Sequence, residues 1–542
     1  MQTDTNGTTA YDRRWWALAV LCFSLIVITL DNTILNVAIP TVQRDLHASN
    51  SQLQWMVDSY TLVFAGLLLT AGSLGDRFGR RGALQLGLTV FGVGSVLSAM
   101  AGTSNQLIAT RALMGVGGAF IMPSTLSILT NVFTDPGERG RAIGVWAGIA
   151  GVGIALGPLA GGFLVEHFYW GSIFLVNVPI VIIAVIAAAL LVPTSRDPAA
   201  PRLDLVGAGL SIAGLCALLY AIIEAPTDGW GAPLIVGAFA VAAVLLAGFV
   251  LWEAHSDHPM LDVKFFRNPR FTAASTGISL VFFALFGSTF LLTQYFQFVL
   301  GYGPLETGVR LLPYAGVLMV VSPLSARLVE RVGTKVVVTV GLLLVAVGLV
   351  LFTTMQVNTG YGDIIWRMML MAAGMGCTMA PATESIMGSL PRAKAGVGSA
   401  VNDTTRQVGG ALGVAVIGSV LASVYGSKIG DAIAHQSRPV PKPIADAVKS
   451  QLGAALQVAR SIGGPIGEQI ASTAKHAFVS GLHQGVLVGA LAALVGALVS
   501  LLWLPAHARD ELDLSLEEAV AVEATVSAQA GEVGDAVQEV KA

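Results

Sequence analysis

Gly72-Ser-Leu-Gly-Asp76-Arg77-Phe-Gly79-Arg80-Arg81 places four charges and three glycines in ten residues, between two apolar blocks over 54–74 and 82–100. Glycines there let the chain turn tightly and let backbones approach closely. Asp76, Arg77, Arg80 and Arg81 can then bridge the ends of neighbouring helices, a conformational latch built on Gly72, Asp76, Arg77, Gly79, Arg80 and Arg81; the plainer alternative is that the arginines only mark topology. The blocks on either side continue along most of the chain. Of its 542 residues 54% are hydrophobic and 12% charged, about half the roughly 25% charge of a soluble protein, and mean hydropathy is +0.73. A soluble fold of this composition could not cover its surface. The composition indicates an all-α membrane protein.

Reading apolar windows outward from the loop gives fourteen candidate spans. They group into a cytoplasmic N-terminus (1–15), a six-helix bundle (16–192), a linker with two inserted spans (193–270, spans 204–224 and 232–252), and a second six-helix bundle (271–504). A tail (505–542) follows, carrying nine acidic residues against Arg509 and Lys541 from His507 onward. Lys and Arg cluster on alternate loops, Arg13, Arg77, Arg139, Arg202, Lys264 and Arg331 among them, which places both termini in the cytoplasm. The long outer segment 425–479 breaks the charge rule. Its Ile444, Val448, Leu452, Ala455, Leu456 and Ala459 recur at helical spacing, so an amphipathic external helix is expected there.

The loop has a degenerate echo, Ala326-Arg-Leu-Val-Glu330-Arg331-Val-Gly333-Thr-Lys335, and Pro123-Ser-Thr-Leu-Ser-Ile matches Pro381-Ala-Thr-Glu-Ser-Ile. Spans one to six then repeat as nine to fourteen. Two six-helix halves around a central site is a transporter plan.

With these residues in place, the loop resembles the signature cytoplasmic loop of the major facilitator superfamily. Further segments resemble its fourteen-span drug:proton antiporter branch, the EmrB/QacA-like transporters: Leu30-Asp31-Asn32-Thr33-Ile34-Leu35-Asn36, Arg111-Ala-Leu-Met-Gly115-Val-Gly117-Gly118, Gly153-Ile-Ala-Leu-Gly157-Pro158-Leu-Ala-Gly161-Gly162, and Gln294-Tyr295-Phe296-Gln297 with Arg310-Leu-Leu-Pro313. The resemblance implies a major facilitator fold of two six-helix bundles plus two extra helices, and secondary active efflux in exchange for protons. It assigns proton transfer to Arg111 and coupling to Asp31, and makes Gly153, Gly157, Pro158, Gly161 and Gly162 the antiporter motif. It implies a multi-pass protein of the bacterial inner membrane, driven by the proton gradient with no cofactor.

The residues themselves point the same way. An acid at the bilayer centre costs about 2.5–3.5 kcal/mol on insertion scales and needs a partner, water or a function. At about 1.5 Å per residue Asp31, Asp58 and Arg111 lie at comparable depth in the outer half and are the proton-coupling candidates; for Asp58, near the interface behind Trp55, simple solvation is the alternative. Opposite charge favours an ionised carboxylate and burial a neutral one, so a buried acid facing Arg111 can switch with helix movement; a permanent ion pair fixing helix register is the alternative. A second layer holds Glu384, Asp403 and Arg406, candidates for substrate binding or proton relay. Asp403 and Arg406 can neutralise each other at i, i+3, which leaves Glu384 as the odd acid, unless it merely snorkels. The glycine motif is expected to form a seam between the two halves. Trp55, Tyr60, Phe120, Trp146, Phe290, Gln294 and Tyr295 are candidate cavity walls for amphipathic, lipophilic cations.

No Lys-Ser/Thr phosphate loop supports nucleotide-driven export. The three cysteines are too scattered for a metal site, and His255 and His258 give only weak metal spacing, so neither an enzyme nor a metal protein is indicated. The body's modest positive balance gives no reason for a nucleic-acid partner. The expected partners are small amphipathic molecules, protons and the bilayer, and the expected functional unit is a monomer. Two alternatives stay open: an exporter of one endogenous lipid or metabolite by the same antiport, and a non-transporting membrane sensor or scaffold.

Overall fold

A computed structural model describes residues 13–48, 50–196, 204–256, 259, 261–434 and 442–506. The acidic tail from His507, the first twelve residues and His258 lie outside the described residues. The first half consists of α1 (Arg14–Asp45), α2 (Asn50–Phe78), α3 (Arg80–Ala99), α4 (Ser104–Val132), α5 (Pro136–His167) and a broken sixth element, α6 (Ser172–Leu175) and α7 (Asn177–Leu191). The inserted pair is α8 (Leu205–Asp228) and α9 (Pro233–His255). The second half holds α10 (Pro269–Gln294), continued by a π-helical turn at Tyr295–Val299, then α11 (Pro304–Val332), α12 (Thr334–Phe352), α13 (Tyr361–Gly388) and α14 (Ala395–Ala434). It closes, after α15 (Lys442–Ser450) and α16 (Leu452–Ile462), with α17 (Gly464–Trp503).

Thirteen helical stretches of the described residues are long and apolar enough to cross a membrane. The expected span over 141–165 lies in α5, a 32-residue helix outside that set. Packing repeats between the halves: α1 lies on α5 as α10 lies on α14, α2 on α4 as α11 on α13, and α3 on α7 as α12 on α17. The faint sequence repeat is therefore a repeat of architecture. The halves meet where α5 runs along α11 and α2 along α14.

The segment over 425–479 departs from the single external helix expected. α14 and α17 each run for 40 residues, about 60 Å at 1.5 Å per residue, twice a bilayer core of about 30 Å. The amphipathic stretch between them divides at Gln451, whose backbone is extended (φ −167°). Val448 and Leu452 then bury from separate short helices, and Tyr425 Oη ties α14 to α15 by donating to the Val448 carbonyl at 2.9 Å.

Candidate functional site

Asp31 lies in the middle of α1 and Arg111 two turns into α4, 0% and 1% exposed. Arg111 Nη1 donates to Asp31 Oδ2 in a buried ion pair. The same guanidinium donates through Nε to the Met56 carbonyl at 3.0 Å and lies over the Tyr60 ring, 4.5 Å from its centroid. Asn177, which opens α7, donates from Nδ2 to Asp31 Oδ1 at 3.3 Å and lies 3.5 Å from Ser95 Oγ. Helices α4 and α7 thus bond the α1 carboxylate, and α2 and α3 hold the two residues that do so. Charges taken this far from water persist only when paired and hydrogen-bonded, and this pair with its amide partner ties α1 to α4 and α7. Asp58 is half-buried on α2, two residues beyond Met56.

Tyr60, expected on a cavity wall, is instead buried between Arg111 and Phe64, with the two rings stacked at 5.7 Å. Asn177 escaped sequence reading; its one signal was an amide inside the apolar run Ile173–Ile183.

The glycine motif meets the seam expected of it at Gly162 but not at Gly153 or Gly157. Gly153 and Gly157 face α1, inside their own half: a Cβ on either would collide with Thr29 or Thr33, the residues on either side of Asp31. Thr33 Oγ1 also donates to the Gly153 carbonyl at 3.3 Å. The seam between halves uses another face of α5, where a Cβ on Gly144 would lie 2.6 Å from Pro323 Cα of α11, one on Gly148 3.2 Å from Met319 Cα, and one on Gly162 3.5 Å from Leu305. Gly161 is buried; the side chain of Pro158 lies outside the described residues. α5 therefore joins the Asp31 helix on one face to the opposite half on another. Gly157→Ala is expected to lower unfolding stability by about 1–3 kcal/mol through overpacking, whereas Gly209→Ala, with nothing within 4 Å, should raise it by about 0.5–1 kcal/mol. Thermal unfolding in detergent reads both.

The loop over 72–81 makes hydrogen bonds from the first half to the second. Asp76 accepts from the backbone N–H of Gly396 at 2.9 Å and of Val397 at 3.1 Å, in the first turn of α14, where the helix dipole favours an anion. Arg80 donates from Nε to Asp76 at 2.7 Å and from Nη2 to the Ala393 carbonyl at 2.9 Å. Gly72 permits the approach: a Cβ there would stand 2.5 Å from the Gly396 carbonyl oxygen. Gly79 adopts φ +115°, strained for any side chain. Arg81 stays within its own half on the Val192 carbonyl at 3.3 Å, and Arg77 lies against Phe78. The echo behaves alike. Glu330 accepts from Arg141, near the start of α5, at 3.0 Å.

Glu384, the odd acid of its layer, has a partner that spacing could not reveal. Arg139 of α5, counted only as a topology charge, donates to it from Nη2 at 2.6 Å and from Nε at 2.8 and 3.1 Å. The bond crosses the halves. Beside it Arg139's neighbour Glu138 accepts from Arg14 of α1 at 2.9 and 3.0 Å.

Asp403 and Arg406 are buried and 3.8 Å apart. Asn402 donates to Asp403 at 3.1 Å, and Arg406 donates to Thr383 Oγ1 at 2.8 Å. Arg406 also lies 5.1 Å from the ring centroid of Trp146, which comes from the other half and donates to Thr125 Oγ1 at 3.2 Å. Trp146 is thus a buried contact between halves. Tyr295 is buried too, its hydroxyl donating to the Gln356 carbonyl at 2.5 Å. Neither forms a cavity wall in this arrangement. Trp55, half-buried, stacks on Tyr220 of α8 at 6.2 Å; Phe120 and Gln294 are half-buried, and Phe290 is exposed beside Gly418.

Known proteins place this geometry in context. The profile described as Major Facilitator Superfamily matches residues 21–414. The multidrug efflux pump LfrA of Mycolicibacterium smegmatis is 38% identical over 423 residues, 77% of this chain and 84% of that protein. The puromycin resistance protein pur8 of Streptomyces alboniger is 37% identical over 409 residues, 75% of this chain and 81% of that protein. Among solved structures, the proton:xylose symporter XylE bound to 6-bromo-6-deoxy-D-glucose aligns with a TM-score of 0.57 at 13% identity, covering 92% of this chain and 97% of that one, a likeness of fold.

Proposed function

The chain belongs to the major facilitator superfamily, and from that premise we propose that it is a drug exporter of the fourteen-span branch that exchanges protons for amphipathic, lipophilic cations by alternating access. The observation that carries this reading is the Asp31–Arg111 pair, fully buried on a helix that α5 clamps at Thr29 and Thr33. A change at Asp31 reaches the opposite half through one helix. The relatives named for multidrug efflux and puromycin resistance support export of drugs.

In this reading α5 completes fourteen crossings, both termini face the cytoplasm of a bacterial inner membrane, and the monomer is the working unit. The Asp76 and Glu384 latches then hold the cytoplasmic end shut. Protonation of Asp31 from outside loosens its tie to Arg111 and lets the halves rock, and deprotonation toward the cytoplasm resets them; the electrical part of the gradient supplies about 2.3 kcal/mol per 100 mV for each net charge moved, protons inward less cation charge outward. Adding a lipophilic quaternary ammonium dye to proteoliposomes should release protons, and a protonophore should stop dye accumulation. Proton release with an endogenous lipid fraction and none with the dye would support the specific exporter instead. Neither proton nor solute movement would leave a sensor or scaffold.

A further inference from the structure

The inserted pair α8–α9 has no part in the coupling just described, yet α8 touches both halves. A Cβ on Gly66 of α2 would meet Cys216 Sγ at 2.6 Å, Tyr220 stacks on Trp55 of α2 at 6.2 Å, and past the end of α8 Trp230 Nε1 donates to Ser419 Oγ of α14 at 3.0 Å. Between α2, α8 and α9 runs a groove of about 530 Å3, lined by Leu62, Cys216, Ala217, Tyr220, Leu234 and Val241 among others. Leu234 and Val241 are exposed on a helix apolar enough to span a membrane, so the groove opens toward hydrocarbon.

Residues 216, 217, 220 and 224 share one helical face. Glu224 therefore continues the groove-lining face by one turn, toward the end opposite the arginine-rich loops. It is half-buried in the last turn of the candidate span Leu205–Ala225 and, among the described residues, makes no hydrogen bond or ion pair; its charged neighbour is Asp228, of like sign. An ionisable group so placed calls for a named partner. We propose that the groove is a bilayer-facing binding site for a lipophilic cation, its alkyl chain lying along Leu62, Ala217 and Val241 and its charge resting between Glu224 and the Tyr220 ring. An acyl chain alone would fill the groove and leave Glu224 unpaired, and an anionic headgroup would be repelled by Glu224 and Asp228. Aromatic faces and carboxylates both attract a cation. The site is distinct from the Asp31–Arg111 pair and is tested by binding, without transport.

The probe is Cys216 itself. With the full chain in nanodiscs and no gradient, its alkylation by a membrane-permeant maleimide is followed peptide by peptide, with Cys22 and Cys377 as internal references. Dodecyltrimethylammonium at ten times its Kd should slow Cys216 about tenfold, and dodecyl maltoside, with the same chain and no charge, should slow it far less. In Glu224→Gln the cation's protection should fall to that of the maltoside. Ala217→Trp, which fills the groove, should remove both. Equal protection of the wild type by the two detergents would leave a plain acyl-chain groove and overturn the cation site, as would absence of protection by either; cation protection that survives Glu224→Gln would overturn the role given to Glu224.

Discussion

Asp31→Asn is expected to abolish uphill export. The amide cannot exchange a proton, so accumulation by the variant should collapse toward a ratio of one, whereas each net positive charge carried inward per cycle through 100 mV supports roughly a fifty-fold gradient. Substitution also leaves Arg111 buried without its anion, and breaking a buried pair from one side costs about 3–5 kcal/mol, so lost transport alone could mean a damaged fold. The double variant Asp31→Asn with Arg111→Gln separates the two. With both charges removed, thermal stability should recover much of the loss, while accumulation against the gradient should not. Arg111→Lys should also fail to restore full activity, because one ammonium cannot reproduce the planar fork that meets Asp31 and the Met56 carbonyl while lying over Tyr60. A double neutral variant that still concentrates dye would make the pair a register device and nothing more.

The Asp31–Arg111 pairing could be anticipated because both constraints on it are local. Each residue interrupts an apolar run, and counting residues at a fixed rise places them at one depth. The latch loop was legible for the same reason, since Asp76 and Arg80 meet one turn apart on the chain. What failed was anything that needed azimuth. Small-residue spacing says that α5 has close-packing faces and not which neighbour each one meets; Gly153 and Gly157 turned out to serve α1, while Gly144 and Gly148 serve α11. Three of the seven wall candidates depend on azimuth likewise: Tyr60, Trp146 and Tyr295 sit at plausible depths, but rotation about their helices buries them against Arg111, Arg406 and the Gln356 backbone. Arg139 was hidden by its abundance among loop arginines and by the 245 residues separating it from Glu384.

Glu384→Gln is expected to open the arginine-rich end. The bidentate geometry makes Arg139–Glu384 one of the stronger kinds of ion pair, but its side chains keep 11% and 17% exposure, so solvent screening reduces its net contribution to about 2 kcal/mol. That corresponds to a shift of roughly thirty-fold between the latched and open populations. Spin labels at Phe78→Cys and Val332→Cys, exposed at the ends of α2 and α11 in opposite halves, with the native cysteines replaced, would report the gap directly. The parent should give one distance, and Glu384→Gln should add a second, longer one. Arg139→Glu combined with Glu384→Arg should return most of the population to the shorter distance, because the pair is rebuilt with its ends exchanged. The Asp76 latch on α14 is untouched by these changes, so the open fraction should grow further when Asp76→Asn is added. If the distance stays single in Glu384→Gln while transport of dicationic substrates alone falls, Glu384 holds cargo and the halves are kept closed by Asp76 and Glu330.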